Sequence, residues 1–293
     1  MAKNSKKIRW GIEQRLEFID FRLFWEGGIN RSDIIDFFGV SVPQASNDLS
    51  QYQELAPSNI AYDKSKRRYF ATKKFNPLFH TPDADRYLTQ LNMIARNVLS
   101  EDETWIAQLP DFAAVPLPRR NVDPQILREL LSCIREFKSV EIRYQSLSPS
   151  RPNPLWRRIT PHGFGFDGMR WHARGYCHLD SAFDDFLLPR ILDIREVGEP
   201  GPSRSEDSAW IEEIEVAMKP HPDLTEGQRR VVASDYGMHK GELKLTVKLA
   251  MLYYFLRRLG LDTIGQTRPA REQHIVLVDP ESAYAALERA RPS

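Results

Sequence analysis

The chain is short of cysteine. Two occur in 293 residues, Cys133 and Cys177, far apart and at no metal-ligand spacing. This excludes a disulfide framework and points to a reducing cytoplasm. No uninterrupted apolar run approaches the ~18–20 residues needed to span a bilayer, so no membrane partner is expected. The basic N-terminus leads into Ile8 to Phe24, an amphipathic stretch carrying Glu13, Glu17 and Asp20, which is unlike a signal-peptide core. Catalytic motifs are missing as well: there is no Gly-x-Ser-x-Gly elbow, no P-loop and no His-Glu-x-x-His. His162, His172 and His178 have no carboxylate or cysteine at helical i, i+3 or i+4 spacing apart from Cys177. Neither a metal site nor any other cofactor is expected. No internal repeat is present, and these absences leave no enzyme class with a foothold in the sequence.

What is present is a globular composition, 41% hydrophobic and 28% charged, long enough for two or three domains. The net charge of +1 hides an uneven distribution. Residues 1–75 hold 13 Lys and Arg against 9 Asp and Glu, whereas the remainder holds 28 against 31. A locally basic N-terminal region suits a polyanionic partner, although a solvated basic surface would read the same way.

Apolar periodicity organises that region. Ile12, Leu16, Ile19 and Leu23 form one stripe of a helix from about Ile8 to Glu26, ended by Gly27-Gly28. Asn30 or Ser32 caps a short second helix with Ile34, Ile35, Phe37 and Phe38 on its apolar side, and Gly39 breaks it. Ser41-Val42-Pro43-Gln44 has the form of a capping box, with Gln44 expected to reach back. Ala45, Leu49 and Tyr52 supply the buried side of the third helix. Ile60 to Ala71 then reads as strand, basic turn, strand. Three helices followed by a basic hairpin describe a winged helix-turn-helix.

Residues 76–121 are helical but interrupted, and Pro110 to Pro124 reads as a linker or hinge. Ile126, Leu130, Ile134 and Phe137 mark a further helix. Strand-like text follows at 140–144, 158–162, 170–176 and 186–197, punctuated by Gly163, Gly165, Gly168 and Gly175 as turns and bulges. This predicts a small, strongly bent, barrel-like sheet. Residues 199–209 read as another linker. The final part reads as a βαβα module: a strand over 243–247, a helix from Ala250 to Gly260, a strand from His274 to Val278, and a helix from Pro280. The expected fold is thus an α+β multidomain chain. Its segments are 1–75 for the winged helix, 76–123 for a helical hinge, 124–200 for the barrel and 201–293 for the C-terminal module.

On the third helix, Ser41, Gln44, Ser46, Asn47, Ser50 and Gln51 lie away from the apolar stripe. Amides pair with adenine edges in the major groove and hydroxyls serve several bases. Lys64, Lys66, Arg67 and Arg68 of the hairpin suit phosphates or a narrow minor groove, and Arg15 and Lys7 add cations. An ordinary polar helix, or a winged helix used only for protein interaction, remains the alternative reading.

The stretch ITPHGFGFDGMRWHARGYCHLDSAFDDFLLPRILDI, from Ile159, resembles a WYL domain. The family's Trp-Tyr-Leu tripeptide falls on Trp171-His172-Ala173, so only the Trp is kept, and Arg190 matches a downstream arginine. The text from Gly39 to Ala71 is similar to the winged helix of the BrxR/CapW-type WYL regulators found beside bacterial anti-phage systems. The resemblance covers almost the whole chain. It implies an Sm-like, SH3-like barrel that binds a nucleotide or nucleic-acid fragment. It also implies a C-terminal extension for dimerisation or regulation. The expected protein is a homodimeric, autoregulating repressor on an inverted-repeat operator in double-stranded DNA, relieved by its effector.

A pocket for a phosphorylated ligand needs cations, donors and a stacking surface. Tyr144, Ser146, His162, His172, Arg174 and Arg190 are the candidate ligand contacts. Strand alternation puts His172 and Arg174 on one face and Trp171 with Ala173 on the other, which places Trp171 in the core. Arg174 and Arg190 have an alternative as partners of Asp184, Asp185 or Asp193. The rival function is an RNA- or nucleotide-binding effector acting through the barrel.

Overall fold

The computed structural model describes residues 2–118, 120–263 and 268–290, with side chains from Gly11 onward. The chain divides into two units, residues 1–118 and 119–293.

In the first unit, α1 (Ala2–Glu26) is followed by β1 (Gly28–Ile29), α2 (Arg31–Phe38) and α3 (Val42–Leu55). A hairpin of β2 (Ile60–Asp63) and β3 (Arg68–Ala71) comes next, then α4 (Ala84–Ala95). Gly27, at φ +71°, turns the chain out of α1 as the sequence suggests. Asn30 caps α2, with the Asp33 carboxylate accepting the Asn30 N–H at 2.7 Å. The small sheet has the order β1-β3-β2. Leu16, Ile19 and Leu23 are buried against Ile34, Ala45, Leu49, Tyr52 and Ile60, so the predicted stripes of α1 and α3 meet in one core. This is the three-helix, hairpin arrangement of a winged helix-turn-helix.

The second unit opens with α5 (Pro124–Glu136), then β4 (Ser139–Tyr144), β5 (Leu155–Phe166), β6 (Trp171–Cys177), β7 (Ala182–Leu187) and β8 (Ile191–Gly198). These strands form one antiparallel sheet in the order β7-β6-β5-β4-β8. Its hydrogen bonding stops at β7 and β8, so the sheet is open rather than a closed barrel. It must nevertheless curl. Flat, its edge strands would stand about 19 Å apart at ~4.8 Å per strand. They are joined by a single turn, Leu188–Arg190, whose reach from Leu187 to Ile191 is about 14 Å at most. Ile126, Leu130 and Cys133 of α5 pack into the concavity against Val140, Ile142, Ile159, Ala173 and Phe186.

The remainder comprises α6 (Ser208–Ile211), β9 (Glu213–Pro220), α7 (Glu226–Asp235), β10 (Leu243–Lys248), α8 (Leu252–Arg258), β11 (Ile275–Leu277) and α9 (Pro280–Ala290). Its sheet order is β10-β9-β11, all antiparallel. The expected βαβα module therefore lacks its central strand, β9, and the helix after it. Residues 199–209 are not a free linker either. Asp207 and Trp210 are both buried, and Asp207 caps α6. Gly163 lies at the expected bulge, where the β5–β6 register shifts after Pro161, and both Gly163 and Gly165 are also places of close approach. A Cβ would stand 3.1 Å from the Trp210 ring at Gly163 and 2.8 Å from Met251 Sδ at Gly165. No described helix is long and apolar enough to cross a membrane.

Candidate functional site

The outward face of α3 is exposed and carries no cation. Ser41 caps the helix, its Oγ accepting the Gln44 N–H at 3.4 Å. The second half of the expected capping box is not made. Gln44 instead donates its amide to Asp48 Oδ1 at 2.9 Å, one turn along, a charge-assisted bond that draws the side chain away from the Ser41 N–H. The same buried Asp48 takes both Nε and Nη2 of Arg15, at 2.6 and 3.2 Å. Arg15 is thus half of a bidentate brace between α1 and α3, which the sequence reading missed because it left Asp48 unassigned. Ser46 Oγ donates to the Val42 carbonyl at 2.8 Å. Asn47, Ser50 and Gln51 are exposed and make no side-chain hydrogen bond among the described residues.

The far half of α3 is held by a buried polar network. Tyr52 donates its hydroxyl to Asp20, which also accepts the backbone N–H groups of Leu78, Phe79 and His80 at 2.6, 2.7 and 3.0 Å. Burial first, then the bond to Asp20, pushes the Tyr52 phenol far above its ordinary pKa. Two successive turns of α3, at Asp48 and Tyr52, are therefore tied to α1, and the uncommitted side chains are those facing out.

At the hairpin tip, Asp63 accepts from Ser65 N–H, Ser65 hydroxyl and Lys66 N–H at 2.8, 2.6 and 3.2 Å. These bonds, the Ser65 hydroxyl foremost, hold its carboxyl below the usual range. They order a turn in which Lys64, Lys66 and Arg67 are exposed, Arg67 at φ +50°. Arg68 folds back, donating to the Gly28 carbonyl at 2.9 Å. The side chain of Lys7 lies outside the described residues.

In the second unit the candidate ligand residues fall into two groups. Tyr144 is buried and its hydroxyl accepts the Leu187 N–H at 3.1 Å. Gln145 N–H donates to the Arg190 carbonyl at 3.0 Å, which brings the Ser146 loop beside Arg190. The Arg190 side chain has no bonded partner among the described residues.

His162, His172 and Arg174 form the other group, and each is already engaged. Asp207 Oδ2 lies 2.9 Å from His162 Nε2 and accepts Arg174 Nε at 2.8 Å, while Oδ1 accepts Arg174 Nη2 at 3.0 Å. Arg174 Nη1 is also 3.5 Å from Asp185, whose other oxygen accepts the Tyr254 hydroxyl at 3.1 Å. His172 stands 3.3 Å from Asp167, itself paired with Arg170 at 2.7 Å. His178 meets Thr160 at 2.9 Å, so the three histidines have separate partners. Burial raises the Asp207 carboxyl, but the bonds from His162 and Arg174 outweigh it and hold the pKa at about 2. Asp184, partly buried beside this cluster, is pushed up, chiefly by desolvation.

Trp171 departs from expectation. It is 51% exposed and stacks on Phe166, also exposed, at 4.8 Å. Alternation fails because Trp171 and Phe166 pair at the turn end of the β5–β6 hairpin, beyond the core. Further along β6, both faces are covered: Ala173 by the sheet's own core, His172 and Arg174 by Tyr254 and Asp207.

Three family models match. Residues 11–93 fit the BrxR transcriptional regulator winged helix-turn-helix domain, residues 125–196 the WYL domain, and residues 213–283 the BrxR C-terminal dimerization domain. A DNA-binding transcriptional repressor CapW of Stenotrophomonas maltophilia is 41% identical over 96% of this chain and 93% of its own length. One from Escherichia coli strain KTE188 is 39% identical over 98% of this chain and 95% of its own. Among solved structures, the proteasome accessory factor B/C of Arthrobacter aurescens aligns with 95% of this chain and 46% of its own. Its TM-score of 0.31 and 16% identity are too low to bear on the fold. With near-full-length identity to two repressors and models matching in the same order along the chain, the protein belongs to the BrxR/CapW family of winged-helix WYL transcriptional regulators.

Proposed function

We propose that this protein is a homodimeric, sequence-specific repressor that sets α3 into the major groove of double-stranded DNA. The observation that carries this reading is the braced α3. Its inner face is tied to α1 by Arg15–Asp48 and Tyr52–Asp20, and its outer face leaves Asn47, Ser50 and Gln51 without partners. Fixed amides and hydroxyls on a rigid helix are what base-edge readout requires. Ser41, Gln44 and Ser46 flank them, and Lys64, Lys66, Arg67 and Arg68 approach phosphates. Glu54, exposed in the last turn, repels the backbone there and biases contact toward the helix N-terminus.

A two-fold dimer reads a two-fold site, so the operator is an inverted repeat, with dimerisation through residues 213–283 as in the matched family domain. The protein works in the cytoplasm, represses its own gene and an anti-phage operon, and is released by a nucleotide or oligonucleotide held on the WYL sheet. That sheet is the Sm-like element of the design, with Tyr144, Ser146, His162, His172, Arg174 and Arg190 as its ligand contacts. The segments 1–75, 76–123, 124–200 and 201–293 serve as reader, hinge, sensor and dimeriser.

The test is a gel shift at fixed salt on the DNA upstream of the gene, against scrambled competitor. Preference for an inverted repeat supports the reading, and equal binding to scrambled DNA refutes it. In that event the exposed Phe166–Trp171 stack favours the second reading, an RNA- or nucleotide-binding effector.

A further inference from the structure

The groups best suited to grip a phosphate on the WYL sheet are occupied by the protein itself. Arg174 presents a two-pronged fork and His162 a ring nitrogen, and both close on one carboxylate, Asp207. A phosphate would need the same donors, since guanidinium forks take carboxylate and phosphate in the same way. Arg174 is only 7% exposed, with Nε and Nη2 on Asp207 and Nη1 3.5 Å from Asp185, so no free edge is left for a phosphate beside Asp207.

Asp207 is not a bystander on the sheet. Its Oδ1 also accepts the Trp210 N–H at 3.2 Å, capping α6, and β9 of the matched dimerization domain begins at Glu213. Trp210 packs its ring 5.7 Å from His162 and closes on Gly163. Lys248, which ends β10, donates to the Trp210 carbonyl at 3.1 Å. The carboxylate that fills the anion site is therefore a fixed point of the segment leading into the C-terminal sheet, downstream of the Gly201 N–H, which donates to Thr160 at 2.8 Å.

We propose that Asp207 is a built-in competitor for the effector: a phosphate-bearing ligand binds Arg174 and His162 only by expelling the Asp207 carboxylate, which unlatches the α6 junction from the WYL sheet. This rests on the reading that the sheet takes an anionic effector, and adds how occupancy reaches the dimerisation module. The ligand acts by differential affinity, binding the unlatched state and not the latched one. The latch lowers apparent affinity by the fraction of time it is open, and removing it restores that loss. Asp185 and Tyr254 form a second clasp, 3.1 Å long, between the same sheet and α8, which keeps the module attached while α6 moves.

The experiment uses the full chain and a fluorescein-labelled, 5′-phosphorylated thymidine trinucleotide as probe. Asp207→Asn keeps the cap acceptor and removes the charge. The expected result is at least about ten-fold tighter probe binding to D207N than to the wild type. In the unmutated protein, saturating probe should speed amide exchange across residues 207–212, a measurement independent of how well the variant folds. Equal affinities, together with unchanged or slower exchange at 207–212 on binding, overturn the latch and leave the effector reading intact. Failure of the probe to bind either protein overturns the anion-binding sheet and the latch with it.

Discussion

If Arg15 is a brace rather than a phosphate contact, it should be dispensable as long as Asp48 is removed with it. The pair is bidentate, with side-chain exposure of 12% for Arg15 and 1% for Asp48. Deleting one member of a buried pair costs about 3–5 kcal/mol, mostly from the charge left behind. Arg15 keeps some access to water, so Asp48→Ala should fall near the low end, about 3 kcal/mol. Arg15→Met strands the more deeply buried carboxylate and should cost at least as much. Arg15→Met with Asp48→Leu replaces both by apolar groups and should recover most of the loss, giving a coupling of about 2 kcal/mol or more. Native-state hydrogen exchange of the α3 amides measures the opening free energy in the intact chain. The same double variant separates the two roles on DNA. A brace predicts an unchanged salt slope and affinity within a few-fold of the wild type. A phosphate contact predicts a slope smaller by about 0.9. Coupling below about 0.5 kcal/mol, or a slope reduced by that amount, would refute the brace.

Arg67→Ala should weaken binding to every DNA sequence and lower the salt slope by about 0.9. Asn47→Ala should instead relax preference at one operator position by about 1–3 kcal/mol, seen by selecting operators from a randomised pool. Tyr52→Phe leaves buried Asp20 short of one donor and should destabilise the first unit by about 1.5–3 kcal/mol, read from exchange of α3. Acid should loosen the junction between the WYL sheet and α6. Asp207 titrates at about 2 when folded, below the ordinary 3.8, so its contribution is complete above about pH 4 and is lost as pH falls toward 2. Asp184, shifted upward by burial, works in the opposite sense. Near-UV circular dichroism from pH 5 to pH 2 should show a shallower acid limb in D207N. A limb identical to wild type would mean that the pair contributes nothing to stability. The limb should weaken rather than vanish, because Asp167 is also held at about 2.

Much of the fold was legible because apolar spacing and capping chemistry are local. Leu16, Ile19, Leu23, Ala45, Leu49 and Tyr52 announced their burial by period alone, and Gly27, Asn30, Gly39 and Ser41 marked helix ends that the structure keeps. The hairpin and the strands of the WYL sheet were visible for the same reason. β9 was visible too, in the alternation of Ile214, Val216 and Met218 with Glu213, Glu215 and Lys219, but it was passed over beside a segment taken for linker. Trp171 was misplaced because alternation gives the face of a strand and not the point along it at which the core ends.

Partners were harder to read than positions. A guanidinium on a strand calls for an anion, and a protein carboxylate and a ligand phosphate satisfy it with the same geometry. For Arg174 the sequence offered Asp184, Asp185 and Asp193 nearby. The principal partner is Asp207, 33 residues away, marked only as the cap of a four-residue helix. Arg15 and Asp48 stand equally far apart, and their pairing was not read from the sequence either. In both places the chain supplies its own anion to a cation suited to nucleic acid. That substitution is stable only while no stronger anion is present. For Arg15, on the inner side of α3, none is expected to arrive. For Arg174, in the domain read as the sensor, one is, and the difference between a permanent brace and a releasable latch then lies in what can reach the pair.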